Sequence, residues 1–149
     1  MKTVLTIDVK LLEPYTVQGH QSRITMLPFT GTASGPFFNG QTVGPCVDKQ
    51  VFRTTADGEE VALSARYMLE GTDCTGRRCR IFIDNSRHDE AGWHPEIVTD
   101  SDALADWENG ELLADVDPIP GGVRIHIRTG KGASCNEAGL SGLHCAGPL

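Results

Sequence analysis

The chain lacks most of the features by which a sequence reveals its chemistry. Its 149 residues contain no apolar run long enough to cross a membrane, and only 6% of them are aromatic. A phosphate-binding loop, a dinucleotide-binding glycine fingerprint and a nucleophile elbow are all missing. Thr6 and Asp8 interrupt the first apolar stretch, whereas a secretory signal needs a continuous one. These absences predict a cytoplasmic protein without membrane contact.

Positive charge is scarce as well. The 13 Lys and Arg residues are outnumbered by 20 Asp and Glu residues, which gives a formal net charge of −7. The acidic excess is concentrated between Asp84 and Asp117, where Arg87 is the only Lys or Arg. An acidic surface of this kind repels phosphate backbones, so we expect no nucleic-acid partner.

Glycine and proline, by contrast, are dense in residues 23–50. Between Pro28 and Gly40 they separate short apolar clusters that contain Phe29, Phe37 and Phe38. Glycine at this density is typical of bends, bulges and close backbone approaches. The flanking residues are β-formers in near alternation, so the stretch predicts a sharply curved antiparallel sheet.

Alternating apolar residues continue along most of the remaining chain. They predict about nine strands, together with one short helix near residues 99–109 that ends at Gly110. A sheet of this size can remove its edges by closing on itself. We therefore expect an all-β fold, an antiparallel β-barrel formed by residues 1–129. Residues 130–149 are predicted to be a Gly- and Cys-containing C-terminal tail.

The cysteine count is odd, which argues against a complete disulfide framework. The five residues are Cys46, Cys74, Cys79, Cys135 and Cys145. We expect mostly reduced thiols, as in a reducing compartment. One or two disulfides stay open as an alternative, and so does a zinc site that includes His144.

Two segments resemble the domain-of-unknown-function 3237 family. Residues 23–50 are similar to its pattern of Arg, Pro-hydrophobic, Thr-Gly, two further glycines and Asp-x-Gln. Residues 63–85 look like its second signature, Ala-Arg-Tyr followed after a turn by an apolar strand that ends in Asn. With matching order and length, the resemblance covers about residues 3–128.

The resemblance implies an intracellular antiparallel β-barrel. Some fungal relatives are associated with ring closure of phenolic natural products, in which a hydroxyl adds across an alkene. The family's polar positions fall on Arg23, Asp48, Gln50, Arg66, Tyr67 and Asn85.

Arg66 and Asp48 are the strongest candidates for chemistry. We predict that both point into the barrel within salt-bridge reach, where Arg66 would hold a substrate oxyanion. Asp48 or Tyr67 would move a proton. Gln50 and Asn85 would bind and orient the ligand. The alternative is a salt bridge between Arg66 and Asp48 that only fixes the barrel.

Ligand contacts are also predicted outside this pair. Arg23 is a candidate from the first family signature, and Trp93 is a candidate aromatic contact at the barrel mouth, although it could instead pack its own loop. His88 and His94, with a nearby carboxylate, could bind a metal. Because this loop lacks a scaffold with fixed ligand spacing, we predict no metal and no cofactor.

These features leave three functional hypotheses. The first is a cofactor-independent cyclase or isomerase acting on a phenolic or polyketide-like substrate. The second is a non-catalytic carrier that binds a small apolar or aromatic ligand in the same interior. The third is a structural or interaction domain whose interior is filled by side chains. In each case we expect a soluble homo-oligomer, because leftover apolar strand faces commonly associate.

Overall fold

The computed structural model describes residues 1–135 and is built almost entirely of antiparallel strands. The twelve strands are β1 (Lys2–Leu11), β2 (Tyr15–Gln18), β3 (Ser22–Ser34), β4 (Phe38–Thr42), β5 (Val47–Thr55), β6 (Gly58–Asp73), β7 (Arg78–Asn85), β8 (His88–Asp89), β9 (Gly92–Trp93), β10 (Glu96–Thr99), β11 (Leu112–Ile119) and β12 (Gly122–Thr129).

The strands form one sheet in the order β10-β7-β6-β4-β3-β1-β12-β11-β9-β8, and β5 bridges β3 and β6 beside β4. The β8–β9 hairpin follows directly after β7, and its Trp93 pairs with Ala114 of β11. This pairing brings the two ends of the sheet together. The core of the fold is therefore a closed antiparallel barrel, as predicted.

Alternation along the strands fills the barrel. In β1 the residues Leu5, Ile7 and Val9 are buried, and in β7 Ile81 and Ile83 are fully buried. One face of each of these two strands thus supplies the core, and the intervening residues face outward.

Curvature depends on glycines where strands come unusually close. Gly40 of β4 pairs with Gly71 of β6, and a Cβ on Gly40 would lie 2.9 Å from the Cα of Gly71. A Cβ on Gly71 would overlap the carbonyl oxygen of Asn39. No side chain fits between these backbones, so the strand crossing requires glycine on both sides.

Two details of the predicted architecture are corrected. The strand count is twelve rather than about nine, because β2 and the short strands β8 to β10 were not expected. The helix near residues 99–109 is only a 3-10 helix, Ala105–Glu108. Leu104, which directly precedes this helix, and Trp107 within it are both buried. They are three positions apart, and one 3-10 turn is enough to direct both inward.

Asp73 anchors the segment that contains this helix. Its carboxylate is buried and accepts hydrogen bonds from the Thr75 hydroxyl (2.6 Å), the Ser101 hydroxyl (2.6 Å) and two backbone N–H groups. Burial alone would raise the pKa of Asp73, but the hydrogen bonds from Ser101, Thr75 and Arg77 outweigh it and hold the pKa below its usual value. The β6–β7 turn is thereby tied to the loop that follows β10.

The cysteines divide into two kinds. Cys46 and Cys79 are buried free thiols, and burial raises the pKa of Cys79 to about 11. Cys74 and Cys135 form a disulfide, with Cα atoms 5.6 Å apart. Their pairing was not predicted. Cys145 and His144, the proposed zinc pair, lie outside the described residues.

No helix within the described residues is long and apolar enough to cross a membrane.

The glycine crossing gives a test of the barrel geometry. Gly71→Ala should lower the free energy of unfolding by about 1–3 kcal/mol or more, because the new methyl group overlaps backbone atoms that cannot move away cheaply. The measurement is urea unfolding followed by circular dichroism. Gly130→Ala is the matched control: the added Cβ meets open space, so the change should stay within about 0.5 kcal/mol. Equal losses in both variants would contradict the close approach.

Candidate ligand-binding site

A cavity of about 200 Å³ lies inside the barrel. Two of its lining residues, Leu63 and Val116, are each 38% exposed, so the cavity opens to solvent at their end. The lining is mostly apolar and consists of Val9, Leu11, Phe29, Leu63, Ala65, Trp93, Val116, Val123 and Ile125, with Asp48, Ser64, Tyr67 and Asn85 among them.

The register of three strands explains how the polar groups converge. Ala65 of β6 pairs with Asp48 of β5 on one side and with Asn85 of β7 on the other. Directly paired residues share a face of the sheet, so all three point inward. Because Ala65 carries only a methyl group, it leaves room between the two polar side chains. Tyr67, two residues further along β6, points to the same side.

Tyr67 is buried, with 2% of its surface exposed. Its ring and the Phe29 ring pack in a T-shaped arrangement, with centroids 5.4 Å apart. The hydroxyl has no hydrogen-bond partner in the described residues, although a buried hydroxyl normally has one. Burial, with a smaller contribution from Cys46, raises the pKa of Tyr67 well above its usual value. The phenol therefore stays protonated and can donate a hydrogen bond into the cavity.

Asn85 completes the polar floor of the cavity. It is buried, and its Oδ1 also has no hydrogen-bond partner in the described residues. The side chain can accept a hydrogen bond through Oδ1 and donate through Nδ2. With the Tyr67 hydroxyl, it gives the cavity two polar groups that no group within residues 1–135 satisfies.

Asp48 is the ionisable carboxyl group of the cavity. Burial raises its pKa above the usual value, and a hydrogen bond from Gln50 partly offsets this effect. Gln50 pairs with Leu63, which places it on the same face as Asp48 and nearer the mouth. A carboxyl group with a raised pKa, next to a ligand-sized space, can exchange a proton with a bound molecule.

Trp93 also lines the cavity. The β8–β9 hairpin holds it against β11, and the His88 ring packs on it at a centroid distance of 4.8 Å. His94, the second histidine of this loop, lies 2.8 Å from the Asp89 carboxylate. Within residues 1–135, no group of three His, Cys, Asp or Glu residues is arranged to hold a metal ion.

The prediction that Arg66 points inward beside Asp48 is wrong. Arg66 lies on the outer face of β6, where its guanidinium donates to the Asp84 carboxylate at 3.0 Å. Its neighbours Ala65 and Tyr67 belong to the apolar set that fills the barrel, so Arg66 must point the other way. Asp84 shares the outer face because Ile83 and Asn85 on either side of it are buried.

Arg23 is also not brought to the cavity. It pairs with Phe52 and packs its guanidinium over that ring, 4.4 Å from the centroid. Along β3 it lies four residues before Leu27, the partner of Asp48, which is about 13 Å of extended strand. Of the predicted site residues, the structure brings Asp48, Tyr67, Asn85 and Trp93 together, with Gln50 adjoining.

Two further residues, Ala65 and Phe29, shape the site although they are not among the predicted site residues. Ala65 makes the gap between Asp48 and Asn85, and Phe29 packs on the Tyr67 ring. The alternation of Leu63, Ala65, Tyr67 and Leu69 contained the signal for the inward face of β6.

Comparison with known proteins shows the fold and no function. No family model matches the chain, and no curated protein is significantly similar to it. A protein with unknown function from Clostridium acetobutylicum ATCC 824 has a similar structure (21% identity, TM-score 0.67, covering 86% of this chain and 94% of that one). A conserved protein of unknown function from Rhodopseudomonas palustris is also similar (12% identity, TM-score 0.62, covering 86% and 95%).

The outward position of Arg66 has a measurable consequence. Arg66→Ala should lower the free energy of unfolding by at most about 1 kcal/mol, because the Arg66 side chain is 58% exposed and solvent screens its pairing with the partly buried Asp84. Urea unfolding of the wild type, Arg66→Ala, Asp84→Ala and the variant with both changes gives the coupling energy between the two side chains. A loss of about 3–5 kcal/mol for Arg66→Ala is the cost of breaking a buried pair and would contradict the outer position.

Proposed function

We propose that this barrel binds a small, largely apolar or aromatic molecule in its interior cavity and transfers a proton on it without a cofactor. The observation that supports this most directly is the pair of unsatisfied polar groups, the Tyr67 hydroxyl and Asn85 Oδ1, in an otherwise apolar cavity. Burying such a polar group costs free energy unless it has a hydrogen-bond partner. A bound ligand supplies the missing partner.

The cavity volume limits the size of the ligand. An apolar cavity of about 150 Å³ is enough to hold benzene. The 200 Å³ available here accepts one substituted aromatic ring, and a larger polyketide-like molecule extends through the mouth past Leu63 and Val116.

The polar groups suit a cyclase or isomerase reaction. In a ring closure, the Asp48 carboxylate accepts the proton of a ligand hydroxyl, the hydroxyl oxygen forms a bond to one alkene carbon, and the other alkene carbon takes the proton back. Tyr67 and Asn85 hold the ligand by hydrogen bonds. Arg66 has no part in this proposal, because it faces outward.

The carrier hypothesis uses the same cavity without turnover. It requires the contacts of Tyr67, Asn85 and Trp93 but no proton transfer by Asp48. A purely structural domain is the least favoured, since its interior would be filled by side chains. Membership of the domain-of-unknown-function 3237 family and a cytoplasmic location remain proposals that rest on the sequence.

The enzyme and carrier hypotheses differ in the expected effect of Asp48→Asn. We expect this variant to bind phenols as the wild type does but to lose at least about 100-fold of the cyclisation rate, because an amide cannot accept the proton. The assay is a panel of ortho-alkenyl phenols: binding is followed by ligand-observed NMR, and cyclised isomers are detected by chromatography.

Folding provides the control for this variant. Because burial raises the pKa of Asp48, its protonated form favours the folded state, and this contribution is lost as the pH rises through that pKa. At pH 7 the ionised Asp48 therefore lowers the free energy of unfolding. Asp48→Asn should therefore be at least as stable as the wild type at pH 7.

Binding without turnover by the wild type would identify a carrier. No binding of any phenol would refute both hypotheses.

We also propose self-association through the edge of β2. Among residues 1–135, β2 pairs only with β3, and its sequence Tyr-Thr-Val-Gln has no charge or proline to prevent further pairing. Tyr15 and Val17 of this strand are 64% and 62% exposed. The concentrated acidic residues lie elsewhere, after Asp84, so two negatively charged copies can meet here with little repulsion.

A charge on β2 tests this association. Val17→Lys should shift a dimer toward monomer in analytical ultracentrifugation, because the lysine of one copy would be buried against the other. Val98→Lys is the matched control: Val98 is 60% exposed and lies on β10, which pairs with β7 at one end of the strand order, whereas β2 pairs with β3 in the middle of that order. A wild type that is monomeric at high concentration, or equal shifts in both variants, would contradict the β2 interface.

A further inference from the structure

The charges around the cavity are one-sided. Its lining contains the carboxyl group of Asp48 and no Lys, Arg or His residue, among the residues that the structure describes. An ionised ligand that enters the cavity therefore meets a negative group and no positive one.

Three arginines near the cavity are engaged elsewhere. Arg66 binds Asp84 on the outer face, and Arg23 lies over Phe52. Arg124 of β12, next to the lining residues Val123 and Ile125, faces outward and binds Asp8 through two hydrogen bonds of 2.6 and 3.1 Å. None of these guanidinium groups is available to neutralise an anion inside the barrel without breaking an existing contact.

The unsatisfied groups also restrict the ligand. Asn85 Oδ1 can only accept a hydrogen bond, and it needs a ligand N–H or O–H. The Tyr67 hydroxyl can donate to a ligand oxygen. An ether can satisfy Tyr67 but not Asn85 Oδ1, whereas an uncharged hydroxyl can accept from one group and donate to the other.

We propose that the cavity selects single-ring ligands with an uncharged hydroxyl group and rejects aromatic carboxylates. This inference rests on the proposed function and specifies the ligand class of the same site. The rejection comes from the cost of placing a second carboxylate beside Asp48 in an apolar cavity without a counter-charge. The selection comes from the hydrogen bonds that a hydroxyl can make with Asn85 and Tyr67.

Three probes of similar size separate these effects: phenol, anisole and benzoate. We expect phenol to bind the wild type at pH 7 at least tenfold more tightly than benzoate and at least threefold more tightly than anisole, as measured by NMR titration. In Asp48→Asn, the preference for phenol over benzoate should fall at least threefold, because the repelling charge is gone. In Asn85→Ala, the preference for phenol over anisole should disappear.

The outcomes distinguish this inference from the proposed function. Benzoate binding as tight as phenol, or a phenol-to-benzoate ratio unchanged in Asp48→Asn, would overturn the charge selection while leaving small-molecule binding intact. A phenol-to-anisole ratio unchanged in Asn85→Ala would overturn the role of the hydroxyl. No binding of any probe would refute the proposed function itself. Circular dichroism and urea unfolding of both variants show whether they fold as the wild type does.

Discussion

Gly40 and Gly71 face each other where β4 crosses β6, and the barrel can adopt its curvature there because neither residue has a side chain. The same strand, β6, changes partner along its length. Its second half pairs with β4 and its first half pairs with β5. The tight crossing with β4 lies toward the end that is filled by Phe38 and Leu69. Toward the β5 end, the small Ala65 leaves the cavity open. The close approach to β4 at one end of β6 and the cavity beside its other half thus both accompany the change of partner along this strand.

Buried carboxyl, hydroxyl and amide groups differ between the two ends of the barrel in their hydrogen-bond partners, although the buried Trp107 Nε1 at the filled end also has no partner among the described residues. At the filled end, the buried carboxylate of Asp73 is satisfied by hydroxyl and backbone donors and joins two loops. At the open end, the Tyr67 hydroxyl and Asn85 Oδ1 have no hydrogen-bond partner in the part of the chain that the structure describes, and burial raises the pKa of Asp48. Full satisfaction is typical of a structural network, and its absence in a cavity is typical of a ligand site. The comparison within one molecule is what makes the open end the candidate for function.

The sequence predicted the barrel and its inward faces where alternation was clear, and failed where it was not. Strands β1, β7 and β12 have clean apolar alternation and were predicted well. The four residues of β2 are all exposed, so no buried face was present to reveal the strand. The family signature favours an inward Arg66, whereas the apolar alternation of Ala65 and Tyr67 on either side of it indicates the outer face. The correct partner, Asp84, depends on the register between β6 and β7, which no local pattern specifies.

Ala65 lies between Asp48 and Asn85 but makes no polar contact that either of them needs. Its methyl group determines how much space remains between them, while the chemistry is carried by its neighbours. An alanine codon becomes a valine codon by a single base change, and the larger side chain would fill that space and leave every polar group in place. The size of the accepted molecule and the chemistry performed on it are therefore encoded at separate positions. In related barrels, the two properties can evolve independently.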